Sequence, residues 1–103
     1  EEKDVNIEKL VDIHNRLMEL FRIIEKAILG ATEQELMDIK LKEEEIYTLI
    51  REEFDIHVNK LQKDDRYNGG PFVDAISIIE LSVSKVRDIR KLLLKQEREY
   101  PKH

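Results

Sequence analysis

The chain contains no cysteine and no tryptophan, and it has only three glycines and two prolines among 103 residues. Without cysteine it cannot form disulfides, thiolate metal sites or a thiol nucleophile, which suits a reducing compartment such as the cytosol. No stretch approaches the roughly 20 consecutive apolar residues that a membrane-spanning helix needs. These absences predict a soluble, cytoplasmic protein that does not insert into a membrane.

The residues that are abundant favour helices. Charged residues make up 40% of the chain and aromatic residues only 6%, a composition typical of long helices with Glu and Lys on their outer faces. A chain of this length forms one domain, which spans residues 1–103. The composition therefore predicts a single all-α domain without room for a second core.

Three long helices are predicted, over residues 4–29, 32–65 and 71–100. The second begins with a capping box, because Thr32 is followed three residues later by Glu35. Gly30 suits the end of the first helix, and Pro71 suits the first turn of the third. Since short connections make neighbouring helices antiparallel, the predicted fold is an antiparallel three-helix bundle with up-down-up topology.

The third helix is apolar over more of its circumference than two neighbours can cover. Phe72 lies at its start, and Ile78 and Leu81 lie away from its main apolar row. A helix with so much apolar surface is normally buried. These three residues therefore predict an interaction surface for a second bundle, which is either a second copy in a homodimer or another helical protein.

Two polar residues fall on the inward row of the second helix. Glu43 begins a run of three glutamates, which could bind a hard cation such as Mg²⁺ or form a solvated face. His57 is expected near Asp4 or Glu80, where it serves as half of a metal site, as an oriented general base, or as a structural histidine with a salt-bridge partner. His14, in an otherwise apolar row, is expected at the boundary of the core.

One short segment is compatible with an enzyme. In REEFDIH, Arg51 and His57 have five residues between them, which resembles the Arg-to-His spacing of the HEPN family of helical ribonucleases. The resemblance implies cleavage of RNA by these two side chains. Residues 85–103 carry 7 basic and 3 acidic groups, against 11 and 20 in residues 1–84, but basic residues also complement the end of a helix. The sequence therefore does not favour nucleic-acid binding.

A longer resemblance covers residues 5–95. The short first link, the stretch EEEIYTLIREEF and the later stretch PFVDAISIIELSVSKVRDIRKLL resemble one repeat of the PhoU-like proteins and related domains attached to phosphate and cation transporters. The family implies regulation of phosphate or ion transport, with a membrane transporter as a possible partner. Full members contain two such repeats, so a single repeat is expected to pair with another bundle.

The same resemblance implies metal binding by acidic pairs spaced four apart. Glu8 and Asp12 fit that spacing, whereas Arg51 precedes Asp55 and Ser84 precedes Asp88. Glu8 and Asp12, together with Glu43 from the glutamate run, are the predicted ligands for a divalent or trivalent metal ion, and no other cofactor is predicted. We expect a non-enzymatic PhoU-like regulatory or interaction domain; the alternatives are the HEPN-like ribonuclease and a structural helical spacer of a larger protein.

Overall fold

A computed structural model of the protein describes residues 2–63 and 70–100, with side chains from residue 7 onward. Three helices occupy these ranges: α1 at Glu2–Leu29, α2 at Glu33–Lys63 and α3 at Gly70–Glu99. Each helix packs against the other two, in a body that measures 56 × 20 × 16 Å. The predicted all-α three-helix bundle is confirmed.

The observed helix ends lie close to the predicted ones. α1 begins two residues before the predicted start, and α3 begins at Gly70 and ends at Glu99, one residue earlier than predicted at each end. Pro71 therefore lies in the first turn of α3, where its missing N–H costs no hydrogen bond. Residues 64 and 65, which were predicted to end the second helix, lie outside the described part of the chain.

The link between α1 and α2 follows from its local chemistry. The Thr32 N–H donates to Glu35 Oε1 at 2.9 Å, and the Glu35 N–H donates to Thr32 Oγ1 at 3.2 Å. This reciprocal pair confirms the predicted capping box. Gly30 has a φ of 146°, and its N–H donates to the Ala27 carbonyl at 3.0 Å. A positive φ of this size favours glycine, which lacks Cβ.

Apolar side chains at helical spacing form one continuous core along the bundle axis. Its fully buried members come from all three helices and from the link, and they are Ile13, Leu17, Leu20, Ile24, Ala27, Ala31, Leu36, Ile39, Ile46, Ile50, Ile76, Ile79, Val83 and Val86. In the described part of the chain, four charged or ionisable residues are buried among them, namely Glu43, Glu53, His57 and Arg90.

The register of α2 against α3 is marked by contacts along their whole length. Arg98 Nε donates to Glu33 Oε1 at 2.7 Å, and the hydroxyls of Tyr47 and Ser84 are 2.8 Å apart. These contacts show that the two helices are antiparallel. No helix in residues 2–63 or 70–100 combines the length and hydropathy needed to cross a membrane.

Candidate functional site

The face of α3 that points away from the other two helices carries exposed apolar side chains. Ile78 is 66% exposed, Leu81 58% and Leu92 58%. The opposite face of the same helix packs into the core through a separate row, which we call the inner row. It includes Ile76, Val83 and Val86, all of them buried. Ile78 and Leu81 therefore remain uncovered within a single chain, as the sequence predicts.

These residues belong to a regular series that we call the outer row, which consists of Ile78, Leu81, Lys85, Asp88 and Leu92. Successive members are three, four, three and four residues apart, and this alternation is the spacing of a coiled-coil seam. All five side chains are exposed. Leu92 was not singled out by sequence reasoning, although its spacing from Ile78 and Lys85 would have identified it.

A shallow apolar depression of about 390 Å³ adjoins the outer row where α3 meets α1. It is lined by Leu10, Val11, His14, Ala75, Ile78 and Ile79. Ile7 and Val11 of α1 are about half exposed, so the apolar surface extends from α3 onto the first half of α1. His14 is exposed at the edge of this depression, in the boundary position expected from the sequence. The outer row and this depression together form what we call the docking face.

Phe72, which was expected on the interaction surface, lies elsewhere. Its ring stacks on the imidazole of His57, with ring centroids 4.0 Å apart and an interplanar angle of 29°. Phe72 is half-buried and packs against the core. It precedes Ile76 by four residues and Ile79 by seven, so it continues the inner row of α3. Phe72 therefore seals the end of the core and does not belong to the outer row.

His57 is fully buried, and its Nε2 lies 3.9 Å from Glu53 Oε1. Burial lowers the pKa of His57 from its ordinary value of 6.5, and the positive charge of Lys60 lowers it further. The imidazole is therefore neutral at pH 7. This environment is that of a structural histidine that packs against an aromatic ring, and it keeps His57 away from solvent.

The expected approach of Glu80 to His57 is wrong. The structure places Phe72 beside His57 instead. Glu80 lies about two helical turns further along α3 and is exposed. This displacement of eight residues along α3 makes an aromatic ring, and not a carboxylate, the neighbour of His57.

Glu80 lines a polar groove of about 690 Å³ between α2 and α3. The groove is lined by Glu44, Tyr47, Thr48, Arg51, Ser77, Glu80, Leu81, Ser84 and Arg87. Arg51 thus faces this exposed groove while His57 is buried in the core. The structure does not bring the two residues of the HEPN-like pattern together on one accessible surface, so it offers no geometry for their joint action on RNA.

The predicted metal ligands do not form one cluster in the described residues. Glu43 is buried and accepts a hydrogen bond from Arg90 Nε at 2.8 Å. Glu8 is exposed on α1, and Asp12 pairs with Arg16 Nε at 3.2 Å. Within the part of the chain that the structure describes, no group of three or more His, Asp or Glu side chains could hold a metal ion.

Arg90, like Glu53 of α2, is a buried residue that sequence reasoning missed. It continues the inner row of α3, because it follows Val86 by four residues and Val83 by seven. That spacing was a sufficient signal, but Arg90 had been counted with the basic end of the chain. The inward position of Glu43, by contrast, was predicted correctly, and its partner is a guanidinium.

A scan against protein-family models finds no matching family, and searches of curated proteins and of solved structures find no significant match. The PhoU-like resemblance therefore stays a prediction.

Proposed function

We propose that this chain is a non-catalytic helical interaction domain that docks a second helical bundle on its docking face. The observation that supports this proposal is the exposure of Ile78, Leu81 and Leu92 at coiled-coil spacing along one side of α3. A row with this spacing fits an amphipathic helix with a matching apolar row. Exposed apolar surface rimmed by polar residues marks interaction sites on folded domains.

The partner that this surface fits is defined by its chemistry. It is a helix with apolar side chains three and four residues apart, interrupted by charges that can pair with Lys85 and Asp88. A long, straight outer face on a bundle 56 Å in length offers such a helix a contact over several turns. Burial of this surface would contribute about 25 cal/mol for each Å² of apolar area removed from water.

The regulatory part of the proposal depends on the resemblance. An up-down-up bundle that pairs with another bundle is the arrangement expected of a PhoU-like repeat, and that family accompanies phosphate and ion transport. We therefore propose a regulatory role beside a transport system, exerted through helix packing. The metal-binding part of the family pattern gains no support, because the described residues contain no group of three or more His, Asp or Glu side chains that could hold a metal ion.

The test uses the purified chain, whose self-association reports whether the docking face buries itself against a helical bundle. Sedimentation velocity over a wide concentration range is compared for the wild type, Ile78→Glu/Leu81→Glu and Leu41→Glu. Leu41 is a matched control because it is 60% exposed, much like Leu81, but lies on α2. We expect the wild type and Leu41→Glu to associate and the double variant to remain monomeric.

Two outcomes would contradict the proposal. The first is a wild type that stays monomeric at the highest concentration. The second is an association that Leu41→Glu abolishes and Ile78→Glu/Leu81→Glu leaves intact. Circular dichroism of each variant checks that the helices have formed, which we expect because all three substituted side chains are exposed.

A further inference from the structure

Building on the proposed function, we propose that the partner is a second copy of this chain. Helix α3 packs antiparallel against α3 of the copy, about a twofold axis that passes between Val86 and Arg87. The inference comes from the order of side chains along the outer row, which reads apolar, apolar, positive, negative, apolar. Its last four members, Leu81, Lys85, Asp88 and Leu92, are self-complementary when they are reversed about the point midway between Lys85 and Asp88.

The antiparallel arrangement pairs every central member of the outer row with a suitable partner. Leu81 lies opposite Leu92 of the second copy, and Lys85 lies opposite Asp88 of the second copy. Because the interface is isologous, each of these contacts occurs twice. The central interface therefore contains two leucine pairs that flank two opposite-charge pairs.

The next pairs outward complete the interface. Ile78 lies opposite Lys95 of the second copy, whose methylene stem can cover the apolar side chain while its ammonium group stays in water. Asp74 lies opposite Glu99 of the second copy, at the exposed ends of the interface, where water and salt screen like charges. The end pairs limit the affinity, and the central pairs determine the register.

Other arrangements of the same two helices place unsuitable groups together. A parallel pair in register puts Lys85 against Lys85 and Asp88 against Asp88 of the copy. An antiparallel pair shifted by seven residues puts Leu81 against Lys85 and Ile78 against Asp88. Like charges that face each other at an interface are strongly unfavourable, and a charge against a leucine loses its water without gaining a partner.

Charge reversal tests this register directly. Lys85→Asp places an aspartate opposite Asp88 of the copy at two symmetric positions, and Asp88→Lys places two lysines opposite each other. We expect each single variant to raise the dimer dissociation constant by at least about tenfold, because like charges then face each other. The double variant Lys85→Asp/Asp88→Lys restores both opposite-charge pairs and should dimerise like the wild type.

The control for these variants is Lys40→Asp, which makes the same change of charge at an exposed position on α2. It should leave the dissociation constant unchanged. An equimolar mixture of Lys85→Asp and Asp88→Lys should form heterodimers, because each variant then supplies the charge that the other needs.

A distance measurement tests the direction of the helices independently of charge. The chain has no natural cysteine, so Glu99→Cys provides a single site for a nitroxide spin label. In the proposed dimer the two labelled positions are about 37 Å apart along the helix axes, at 1.5 Å per residue. In a parallel dimer they would be separated by roughly the interaxial distance of 8–10 Å, plus the length of the labels.

The different failures can be told apart. If the dimer is lost in Ile78→Glu/Leu81→Glu but is insensitive to charge reversal, or if the labels are close together, then the antiparallel register is wrong and the docking face stands. If the wild type does not associate at all, both the second copy and the proposed function are wrong. A restored double variant together with a long label distance would support the antiparallel dimer.

Discussion

Arg90 Nε donates a hydrogen bond of 2.8 Å to Glu43 Oε2 in the interior of the bundle, where both side chains are almost fully buried. The two residues lie on different helices, so this ion pair ties α2 to α3. A buried charge is costly unless it is paired and hydrogen-bonded. Loss of either residue would therefore leave the other as an unpaired charge in the interior of the bundle.

Removing one partner of this pair should be strongly destabilising. We expect Glu43→Ala or Arg90→Ala to lower the free energy of unfolding by about 3–5 kcal/mol, because the remaining charge stays buried without its partner. Urea denaturation followed by circular dichroism measures this loss.

Replacing both partners gives the matched control. Glu43→Leu/Arg90→Met removes both charges and keeps similar volume, so it should be near neutral or stabilising. A single alanine variant with almost unchanged stability would show that the pair does not form in solution.

The stability of the protein should depend on the protonation of His57. The pKa of His57 is lowered in the folded state by burial and then by Lys60. As the pH falls, His57 is therefore protonated at a higher pH in the unfolded chain than in the folded one. The contribution of neutral His57 is fully present above about pH 6.5, the ordinary pKa of histidine, and is lost as the pH falls through the lowered folded value.

We expect the melting temperature to fall between pH 7.5 and pH 5.5, and to fall less in His57→Phe, which keeps an aromatic ring against Phe72. Thermal unfolding at a series of pH values measures both slopes. The same slope in the variant and the wild type would mean that another group is responsible. This pH range lies above the ordinary pKa values of Asp and Glu, so the carboxyl groups contribute little to the change in melting temperature.

The capping box at the start of α2 should contribute measurably to stability. Thr32→Ala removes the hydroxyl that accepts from the Glu35 N–H, and such a loss costs about 1 kcal/mol. Thr48→Ala is a suitable control, because Thr48 donates only to the Glu44 carbonyl within an exposed part of α2 and its replacement by alanine favours the helix. Equal denaturation midpoints for the two variants would exclude a role for the cap.

Gly30 should be sensitive to substitution for a reason of backbone conformation alone. A Cβ at this position would meet no atom within 4 Å, but the φ of 146° is one that L side chains rarely adopt. We expect Gly30→Ala to destabilise the protein by at least about 1 kcal/mol. Chemical denaturation checks this value, and an unchanged midpoint would mean that the link can adopt another conformation.

The architecture was predictable from the sequence because it depends on local chemistry and on periodicity. Thr32 and Glu35 lie three residues apart, and this spacing ahead of an apolar periodic run marks the start of a helix. The apolar spacing of the first helix, which includes Ile13, Leu17 and Leu20, indicates which face is buried. The exposure of Ile78 and Leu81 followed from the same periodicity, because one helix cannot turn two separate rows towards one core.

The partners of the buried polar groups depended on the tertiary structure. Periodicity shows that Glu43 and His57 point inward, but their neighbours depend on the axial register of α2 against α3. Phe72, the observed neighbour of His57, and Glu80, the predicted neighbour, lie about two turns apart on α3. Register results from packing along the whole length of two helices, and no local sequence pattern encodes it. For this reason only the folded bundle shows that Arg90 is the partner of Glu43 and Phe72 the partner of His57.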